Sequence, residues 1–447
     1  MGHLNEVEAE VAAATPCRDS VGDNPLDLSV IIPALSEGPN LQLLLPDLKA
    51  ILGTLQLSYE ILIVVCQTDD PTRVAASLSG ARILQQGARG YGEALKTGFE
   101  AARGDYILCL DADLSHPPAF VKDLWACRQT ADVIIASRYI EGGRAHIPAV
   151  RHLLSRALNM FFGRGLSLPV RDLSSGFRLY KADLLRGMSY AARDFDILQE
   201  ILVRTYASGS LVREIPFTYA PRRLGSSHAR VLQFGWAYLR TFWSLWKLRN
   251  SILSADYDSR AYDSPIPIQR YWQRSRFRYV TELITGQGPV LDVGCGSSRI
   301  IGALPAGSVA LDIQLNKLRY ARRFGRPLVQ GSGACLPFPD GGFSCVLCSQ
   351  VIEHVPEAMP ILDELCRVLA PGGRLVLGTP DYDRWEWRWM ERLYRLFAPS
   401  GYADEHITHY TRRALVERLK RLGFSLEAEH YILRGELILA FRRPPAK

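Results

Sequence analysis

The sequence predicts an α/β protein with two domains, each built on a largely parallel β-sheet that is flanked by helices. Two observations lead to this prediction. The chain has 447 residues, which is more than one ordinary domain holds. Two separate series of short, apolar, strand-like runs alternate with helical stretches, and this alternation is typical of parallel sheets. A hydrophobic fraction of 47% with 22% charged residues is that of a globular protein.

The chain begins with an acidic stretch and continues into the first predicted domain. Residues 1–26 lack hydrophobic periodicity, and we interpret them as a flexible tail. They also lack the basic start and apolar core of a secretory signal, which favours a cytoplasmic protein. Residues 27–230 are the first predicted domain, with strands expected in LSVIIPAL, YEILIVV, ARILQQ, DYILCLDAD and DVIIASR.

An aromatic segment follows, and residues 231–255 are predicted to be an amphipathic helix and a linker. Arg240 and Lys247 interrupt its apolar run, which is therefore shorter than the roughly 18 apolar residues of a membrane-spanning helix. Two interpretations are open: a helix packed on its own domain or between domains, and a helix lying on a membrane surface. The net charge of +7 suits an anionic membrane, phosphate-bearing ligands or nucleic acid equally well.

Two carboxylates stand at the end of one predicted strand of the first domain. Asp111 and Asp113 come directly after the apolar run DYILCL. The carboxyl ends of strands in open α/β sheets form the crevice where ligands bind. A carboxylate pair there can hold a hard divalent cation, which neutralises the charge of a departing diphosphate. A solvated turn has the same pattern, so the pair is informative only together with the sequence around it.

Five sequence blocks in a fixed order provide that context. They are VIIPALSE, GARGYGEALKTGFEAARGDYILCLDADLSHPP, SRYIEGG, DLSSGFRLYKADLL and RRLGSSH. In this order they resemble the family 2 glycosyltransferases, and within them the dolichyl-phosphate mannosyltransferases, over roughly residues 28–230. The resemblance implies a nucleotide-diphosphate sugar as the donor. It also implies a polyprenyl phosphate or a related lipid as the acceptor.

The resemblance assigns roles to individual residues. It implies that Asp111 and Asp113 hold Mg²⁺ or Mn²⁺ on the donor diphosphate, and that Pro33 and Glu37 lie in the nucleotide-contacting loop. Three cationic side chains would contact donor or acceptor phosphates: Arg138, Arg222 and His228. A phosphate acceptor is already an anionic nucleophile, so such clamps matter more than a general base. Arg222 can instead belong to a solvated loop, and Asp172 can simply cap a turn.

The first domain departs from the family pattern at two places. Val65 and Cys66 stand where the family usually has paired aspartates, so a carboxylate that would bind the base is missing. Either Asp69 or Asp70 compensates, or recognition of the base is relaxed. His228 stands where similar mannosyltransferases carry Lys, and a neutral imidazole binds phosphate less reliably than an ammonium group.

The second series of strands begins near Val290, within a domain predicted for residues 256–447. Its strands are expected in GPVLDVGCG, SVALDIQ, FSCVLCSQ and GRLVLGTP. Asp292 ends the first of them and opens into Gly294 and Gly296, where a ligand can approach the backbone. Asp312 ends the next strand, placed to accept hydrogen bonds from a ribose. Arg299 stands where a dinucleotide fingerprint needs a third glycine, which disfavours NAD.

These motifs, together with LPFPDGGFSCVLCSQVIEHVPE, RVLAPGGRLVLGTPD and HYTRRALVERLKRLGF, resemble a class I methyltransferase acting on small molecules. Both predicted domains are thus Rossmann-like. The resemblance implies S-adenosylmethionine as cofactor, with the methionine part beside Asp292, Gly294 and Gly296. It places Asp312 on the ribose, and Ser332 where many relatives have an Asp that binds adenine.

The same resemblance places Glu353 and His354 beside the methyl-transfer centre. His354 is a candidate base for a hydroxyl acceptor, although a loop histidine that orients the strand end has the same pattern. His406 and His409 are further candidates, each with an equally simple structural role. The tryptophans of DRWEWRW can line the acceptor pocket or cover it as an amphipathic lid.

The sequence therefore predicts a bifunctional transferase that glycosylates a lipid phosphate and methylates a glycan, lipid or other small molecule of the same pathway. Two alternatives are open. The glycosyl acceptor can be soluble or saccharide, or a degenerate first domain can serve only as a binding module for the methyltransferase. No basic stripe with interleaved aromatics appears near the second site, so nucleic acid is not expected as a partner. We expect a cytoplasmic protein that can be peripheral on the cytoplasmic membrane face, and its oligomeric state is open.

Overall fold

The computed structural model describes residues 26–66, 69–77, 80–221, 235–397 and 406–446. The chain divides into two compact units. One unit runs up to Val203 and includes Leu211–Trp243, and the other comprises Arg204–Ser210 and the chain from Ser244 onward. Each unit contains one seven-stranded sheet, and the first also contains a two-stranded sheet.

The first unit is built on one large mixed sheet. Its strands are β1 (Leu26–Ala34), β2 (Tyr59–Val65), β3 (Arg82–Gln85), β4 (Gly104–Cys109), β5 (Val133–Ser137), β6 (Arg144–Ala145), β7 (Arg178–Lys181), β8 (Val212–Pro216) and β9 (Thr218–Tyr219). The order in the large sheet is β3-β2-β1-β4-β7-β5-β8, and β6 pairs with β9. All neighbours in the large sheet are parallel except β7, which runs antiparallel to both β4 and β5. Strands β1 and β2 are buried on both faces, which explains their continuous apolar runs.

The helices of the N-terminal part of the chain connect these strands, except the last helix, which follows β9. They are α1 (Gly38–Thr54), α2 (Asp70–Ser77), α3 (Tyr91–Ala101), α4 (Val121–Ala126), α5 (Ala149–Gly165), α6 (Ile197–Ala207) and α7 (Gly235–Arg249). In α1, leucines spaced three and four residues apart are fully buried in the core on one face of the sheet: Leu41, Leu44, Leu48 and Leu52.

The predicted aromatic helix is present as α7, while residues 231–234 lie outside the described part of the chain. Its Phe242 packs against α5, with ring centroids 4.6 Å from Phe161 and 5.4 Å from Phe162. The adjacent Trp243 is 59% exposed, so part of the helix surface is open to solvent. The helix therefore packs on its own domain through Phe242, and its exposed surface leaves a membrane contact open. Among the described residues, no helix combines the length and apolarity that crossing a bilayer requires.

The second unit is built on another mixed sheet. Its strands are β10 (Val290–Val293), β11 (Val309–Asp312), β12 (Leu328–Gln330), β13 (Phe343–Ser349), β14 (Leu369–Pro380), β15 (Ser425–Ile432) and β16 (Glu436–Arg442), in the order β12-β11-β10-β13-β14-β16-β15. Strands β10 to β14 are parallel, and β16 is antiparallel to both β14 and β15. The helices are α8 (Tyr257–Tyr262), α9 (Pro267–Ile284), α10 (Ile300–Ala303), α11 (Leu315–Ala321), α12 (Ile361–Val368), α13 (Trp385–Phe397) and α14 (Arg412–Arg421).

The prediction of an α/β chain with two Rossmann-like domains is confirmed. A strand forms within each of the nine predicted runs. The largely parallel character is corrected in one respect: each sheet is mixed, because β7 and β16 run against their neighbours.

Candidate functional site

Asp111 lies at the carboxyl end of β4, in the centre of the first sheet. Its side chain keeps 32% exposure. The Tyr91 hydroxyl donates a hydrogen bond to Asp111 Oδ1 at 3.3 Å. The backbone N–H of Asp111 donates to His116 Nδ1 at 2.9 Å, so the imidazole of His116 holds the two ends of the turn after the strand together. One hydrogen bond thus holds the carboxylate and another holds the backbone, and the carboxylate still faces solvent.

Asp113 lies deeper in the same turn and is 2% exposed. Its Oδ1 accepts hydrogen bonds from the backbone N–H and the hydroxyl of Ser115, the former at 3.1 Å. The two aspartates therefore differ in role. Asp111 is the accessible carboxylate, and Asp113 is a buried one fixed by its own turn.

His116 was not singled out from the sequence, and it positions Asp111. It is 2% exposed and its ring stacks on Phe177 with centroids 4.8 Å apart. Burial lowers the pKa of His116, so the imidazole is neutral at pH 7. Because Nδ1 accepts from the backbone, the proton lies on Nε2, 3.8 Å from Asp111 Oδ2. The sequence could have indicated this residue, because His116 lies in the block DADLSHPP, shortly after the two aspartates.

Gly176, just before β7, keeps space clear beside Asp111. A Cβ at this position would lie 2.8 Å from the Tyr91 hydroxyl oxygen and 3.3 Å from Asp111 Oδ1. A side chain there would fill the approach to the carboxylate. The residues present thus fit a divalent cation: an accessible carboxylate, a second carboxylate two residues on, and an approach that a Cβ would close.

The second candidate site is the turn after β10. Gly294 and Gly296 have φ values of +73° and +54°, a conformation that L side chains rarely adopt. A Cβ on Gly294 would lie 2.2 Å from Val351 Cγ2, and a Cβ on Gly296 would lie 2.7 Å from Asp258 Oδ2. Both glycines are thus required by backbone conformation and by close neighbours.

Two aspartates close this turn from the strand ends. Asp312 Oδ2 accepts from the Gly296 N–H at 2.7 Å, and Oδ1 accepts from the Gln314 N–H at 2.8 Å. Asp292 is 4% exposed. Burial, and then the charge of Asp312, raise the pKa of Asp292 to about 7. The N–H groups of Gly296 and Gln314 thus fix the turn by donating to the Asp312 carboxylate, and a turn of this kind at the end of a strand suits binding of a nucleoside.

Asp258 in α8 also belongs to this turn, although no motif in the sequence singled it out. Its Oδ2 accepts from the Ser297 N–H at 3.2 Å, from the Ser297 hydroxyl at 3.1 Å and from Lys317 Nζ at 3.0 Å. Lys317 lowers the pKa of Asp258 against the effect of burial. No local pattern points to this contact, because α8 precedes the turn by more than 30 residues.

Comparison with known proteins finds a family match within each unit. Residues 29–188 match the family model of glycosyl transferase family 2, and residues 291–377 match the model of a methyltransferase domain. The chain carries a family 2 glycosyltransferase domain and a methyltransferase domain. The predicted family and the predicted pair of transferase domains are thereby confirmed. The first range contains Asp111, Asp113 and Gly176, and the second contains the turn after β10.

The chain is similar to dolichol-phosphate mannosyltransferase from Pyrococcus furiosus, at 34% identity over 51% of this chain and 66% of that protein. It is also similar to undecaprenyl-phosphate mannosyltransferase from Micrococcus luteus, at 33% identity over 31% of this chain and 60% of that protein. The chain therefore spans about two thirds or less of these relatives. Among solved structures, it resembles an SAM-dependent methyltransferase from Thermotoga maritima, with a TM-score of 0.32 and 19% identity over 39% of this chain and 94% of that one.

Within the glycosyltransferase domain, Arg138 is paired with Asp172. The Asp172 carboxylate accepts from Arg138 Nε at 2.8 Å, from Nη2 at 2.7 Å and from the backbone N–H at 3.0 Å. Asp172 is fully buried, and Arg138 lowers its pKa against the effect of burial. Asp172 is thus more than a cap of its turn. That Arg138 also contacts a phosphate stays a prediction, with Nη1 as the nitrogen not used by Asp172.

The loop after β1, which is predicted to contact the nucleotide, is held by Asp69. Asp69 Oδ2 accepts from the Ser36 N–H at 2.6 Å, and Oδ1 accepts from the Thr72 N–H at 3.4 Å. Its carboxylate is therefore used inside the domain, and Val65 is fully buried in the core. The Asp70 side chain lies outside the described part of the chain.

The other predicted residues of the glycosyltransferase domain have mixed outcomes. Pro33 lies in β1, and Glu37 begins the turn into α1, where its Oε2 accepts from Asn40 Nδ2 at 2.5 Å. Arg222 and His228 lie outside the described residues, so their predicted phosphate contacts stay predictions. The nucleotide-binding roles of Pro33 and Glu37 also stay predictions.

In the methyltransferase domain, Glu353 and His354 follow β13 on a single 3₁₀ turn, Ile352–His354. Glu353 is fully buried, and burial raises its pKa to about 8. Its Oε2 accepts from the Thr379 hydroxyl at 3.1 Å. The structure brings His406 against this turn, with ring centroids of His354 and His406 4.9 Å apart. The contact of His406 with this turn was not predicted from the sequence, and the roles of Glu353 and His354 in methyl transfer stay predictions.

The remaining methyltransferase residues divide between core and surface. Trp387 is 7% exposed, whereas Trp385 and Trp389 are 64% and 56% exposed, so the three tryptophans do not act as one lining. Ser332 is exposed, and its hydroxyl accepts from the Ala334 N–H at 3.2 Å. Its adenine contact stays a prediction. His409 is exposed and stacks on Tyr382 with centroids 4.1 Å apart.

Proposed function

We propose that the glycosyltransferase domain transfers a sugar from a nucleotide diphosphate to a polyprenyl phosphate. The methyltransferase domain would transfer a methyl group from S-adenosylmethionine to a glycan or other small molecule of the same pathway. The observation that carries the first part is the accessible Asp111 carboxylate, beside the space that Gly176 leaves. The names of the two mannosyltransferases, whose acceptors are lipid phosphates, support the choice of acceptor.

Asp111 and Asp113 would hold Mg²⁺ or Mn²⁺ in the glycosyltransferase domain. The cation supplies positive charge to a nucleotide diphosphate as it leaves. The protein keeps the metal ligands in place: neutral His116 fixes the Asp111 backbone at 2.9 Å, and Ser115 fixes Asp113.

An exposed apolar surface supports a lipid acceptor. Helix α5 exposes a stripe at three- and four-residue spacing, with exposures of 72% at Val150, 70% at Leu153, 48% at Leu154, 52% at Met160 and 48% at Phe161. Helix α7, which packs on α5, adds Leu239 and Trp243. Exposed cationic residues accompany them: Arg156, Arg164 and Arg240. We name these residues the α5–α7 face, and its chemistry matches an interfacial helix on anionic lipid.

Vesicle flotation tests this part. We expect the protein to float with anionic phospholipid vesicles, and Leu153→Glu with Trp243→Glu to abolish flotation while the unfolding temperature stays unchanged. Val74→Glu is a matched control, because Val74 is 60% exposed and lies in α2. Flotation of the double variant at the wild-type level would contradict a membrane role for the α5–α7 face.

In the methyltransferase domain, the turn after β10 would bind the cofactor. The backbone at Gly294 and Gly296 would approach the ligand closely, and the Asp312 carboxylate, which holds the Gly296 N–H, would also accept hydrogen bonds from ribose hydroxyls. The bound cofactor supplies an electrophilic methyl group on a sulfonium sulfur. The residues of this domain then position the acceptor in line with it, which provides much of the rate.

A ligand screen tests both domains separately. Thermal unfolding is followed with GDP, UDP and other nucleotides plus Mn²⁺, and with S-adenosylhomocysteine, because a ligand of the folded state raises the midpoint. We expect Asp111→Asn to remove the nucleotide effect and to leave the effect of S-adenosylhomocysteine intact. Sugar transfer to a polyprenyl phosphate, measured with radiolabelled donor, then distinguishes an enzyme from a degenerate binding domain. A signal from S-adenosylhomocysteine alone would favour the binding-module alternative.

A further inference from the structure

Three potential metal ligands meet in the methyltransferase domain. One ligand atom from each of Glu353, His354 and His406 lies within 4.8 Å of the other two. Glu353 and His354 belong to the turn after β13, and His406 belongs to the segment that leads into α14. The cluster thus joins two segments that are about 50 residues apart in the sequence.

The backbone fixes this meeting of segments. The N–H groups of Ile407 and Thr408 both donate to the Glu353 carbonyl oxygen, at 2.8 and 3.0 Å. The Thr408 hydroxyl donates to the Val355 carbonyl oxygen at 2.7 Å. Three hydrogen bonds therefore hold His406 against the turn of Glu353 and His354. The cluster is a built feature of the fold and does not depend on exposed side chains meeting by chance.

The Glu353 carboxylate is only partly satisfied by the protein. It is fully buried, and Oε2 accepts from the Thr379 hydroxyl. Oε1 has no hydrogen-bond partner within the described residues. The nearby Arg276 donates hydrogen bonds from Nε and Nη2 to the Glu436 carboxylate, each at 2.6 Å, so these two donors are directed at Glu436 and away from Glu353. A buried carboxylate without a full set of partners is costly, so either a proton or a bound cation has to compensate it.

We propose that Glu353, His354 and His406 bind a divalent transition-metal ion. One carboxylate and two imidazoles form the ligand set of several catalytic zinc sites, which keep a further position open for an oxygen ligand. Two imidazoles favour such an ion over Mg²⁺, which prefers oxygen ligands. Tetrahedral ligands at about 2.1 Å from Zn²⁺ are about 3.4 Å apart, so binding would draw ligand atoms that now lie within 4.8 Å of one another closer by at most about 1.4 Å.

Neighbouring groups orient the imidazole of His406. Its Nδ1 lies 2.8 Å from the Tyr382 hydroxyl and 3.5 Å from Glu391 Oε1. Hydrogen bonds to the second nitrogen of a metal-bound histidine fix its tautomer and ring orientation. Tyr382 and Glu391 are in the right place for this role, with Nε2 as the metal-binding atom.

The cluster is next to the proposed cofactor turn. Val351, two residues before Glu353, has its Cγ2 2.2 Å from where a Cβ of Gly294 would lie. Under the proposed methyl transfer, Glu353, His354 and His406 would hold the ion, and the ion would favour loss of a proton from an acceptor hydroxyl to solvent. The acceptor oxygen would then form a bond to the methyl carbon, while the carbon–sulfur bond breaks and its electron pair stays on sulfur. This step rests on the proposed methyltransferase activity, whereas metal binding does not.

Metal titration of tag-free, chelator-treated, full-length protein tests the site. We expect one Zn²⁺ per chain by calorimetry, and a visible absorption band when Co²⁺ is added. His354→Ala and His406→Ala should each weaken binding by more than the roughly 10–100-fold that loss of an outer-shell partner costs. His430→Gln is the matched control, since His430 is a histidine of the same domain that lies in β15, stacks on Tyr279 and does not belong to the cluster. It should bind like the wild type.

The outcomes are distinguishable. No binding by the wild type, or equal binding by all variants, overturns the site. Unfolding temperatures of the metal-free variants show whether a loss of binding reflects a loss of fold, and Glu353→Gln adds a near-isosteric variant. S-adenosylhomocysteine is titrated separately. Metal binding without S-adenosylhomocysteine binding would overturn the methyltransferase proposal and leave the site standing, and the reverse result would overturn the site alone.

Discussion

The buried pair of Arg138 and Asp172 makes the stability of the glycosyltransferase domain sensitive to one carboxylate. Asp172 is fully buried and the Arg138 side chain is 11% exposed. Asp172→Asn leaves the guanidinium buried without its counter-charge, and breaking a buried pair from one side costs about 3–5 kcal/mol. A domain of about 200 residues loses about 2–4 °C per kcal/mol, so the first domain should unfold about 6–20 °C lower.

Differential scanning calorimetry of the full chain measures this shift as a change in one transition of two. Asp183→Asn is the control, because Asp183 pairs with Arg186 on the surface at 90% side-chain exposure and should change stability by less than about 1 kcal/mol. Replacing both partners, Arg138→Met with Asp172→Leu, should recover much of the loss. A loss below about 1 kcal/mol in Asp172→Asn would refute the reasoning.

The sign of the pH dependence follows from the same contacts. Arg138 lowers the pKa of Asp172 in the folded state, so the pair stabilises the fold at neutral pH. That contribution disappears as the pH falls through the folded-state pKa. The difference between the wild type and Asp172→Asn should therefore shrink in acid.

Three further changes are predicted. The pKa of Asp292 is about 7, so this group destabilises the fold increasingly from about pH 4 to 7, and Asp292→Asn should raise the unfolding temperature at pH 8 and not at pH 4. Gly325→Ala should lower the free energy of unfolding by about 1–2 kcal/mol, because its Cβ has no atom within 4 Å and only the backbone conformation is strained. Gly294→Ala should lower it more, and Gly294→Ala should also weaken binding of S-adenosylhomocysteine in calorimetry. Gly176→Ala should weaken Mn²⁺-dependent nucleotide binding at least about tenfold, whereas Gly163→Ala, with its nearest atom at 3.6 Å, should not. Equal effects within either glycine pair, or an equal gain at both pH values for Asp292→Asn, would contradict these expectations.

Local patterns in the sequence were sufficient for the fold class and for the residues at strand ends. Asp111, Gly294 and Asp312 each come after an apolar run, and a strand end is encoded within about ten residues. Their positions could therefore be predicted from the amino-acid sequence alone. The nine predicted runs all contain strands for the same reason.

Contacts between distant segments could not be predicted in this way. Asp258 meets the turn of Gly296 from a helix that no spacing rule connects to it. Asp69 accepts from the Ser36 N–H across two secondary-structure elements, a role that its position after β2 did not indicate. Such contacts depend on the order of strands in the sheet, and a single sequence does not encode that order locally.

The reversed direction of β7 has a consequence for how the first site is assembled. Strands β4 and β5 deliver the residues at their carboxyl ends, Asp111 and Arg138, to one edge of the sheet. A strand inserted between them in the same direction would have sent its preceding loop to the far edge. Because β7 enters from the near edge, its incoming loop brings Asp172 to Arg138 and Gly176 to Asp111. Three loops therefore meet at this site: those after β4 and β5, and the one before β7. Mutations in the loop before β7 should affect the Asp111 site as mutations in the loop after β4 do.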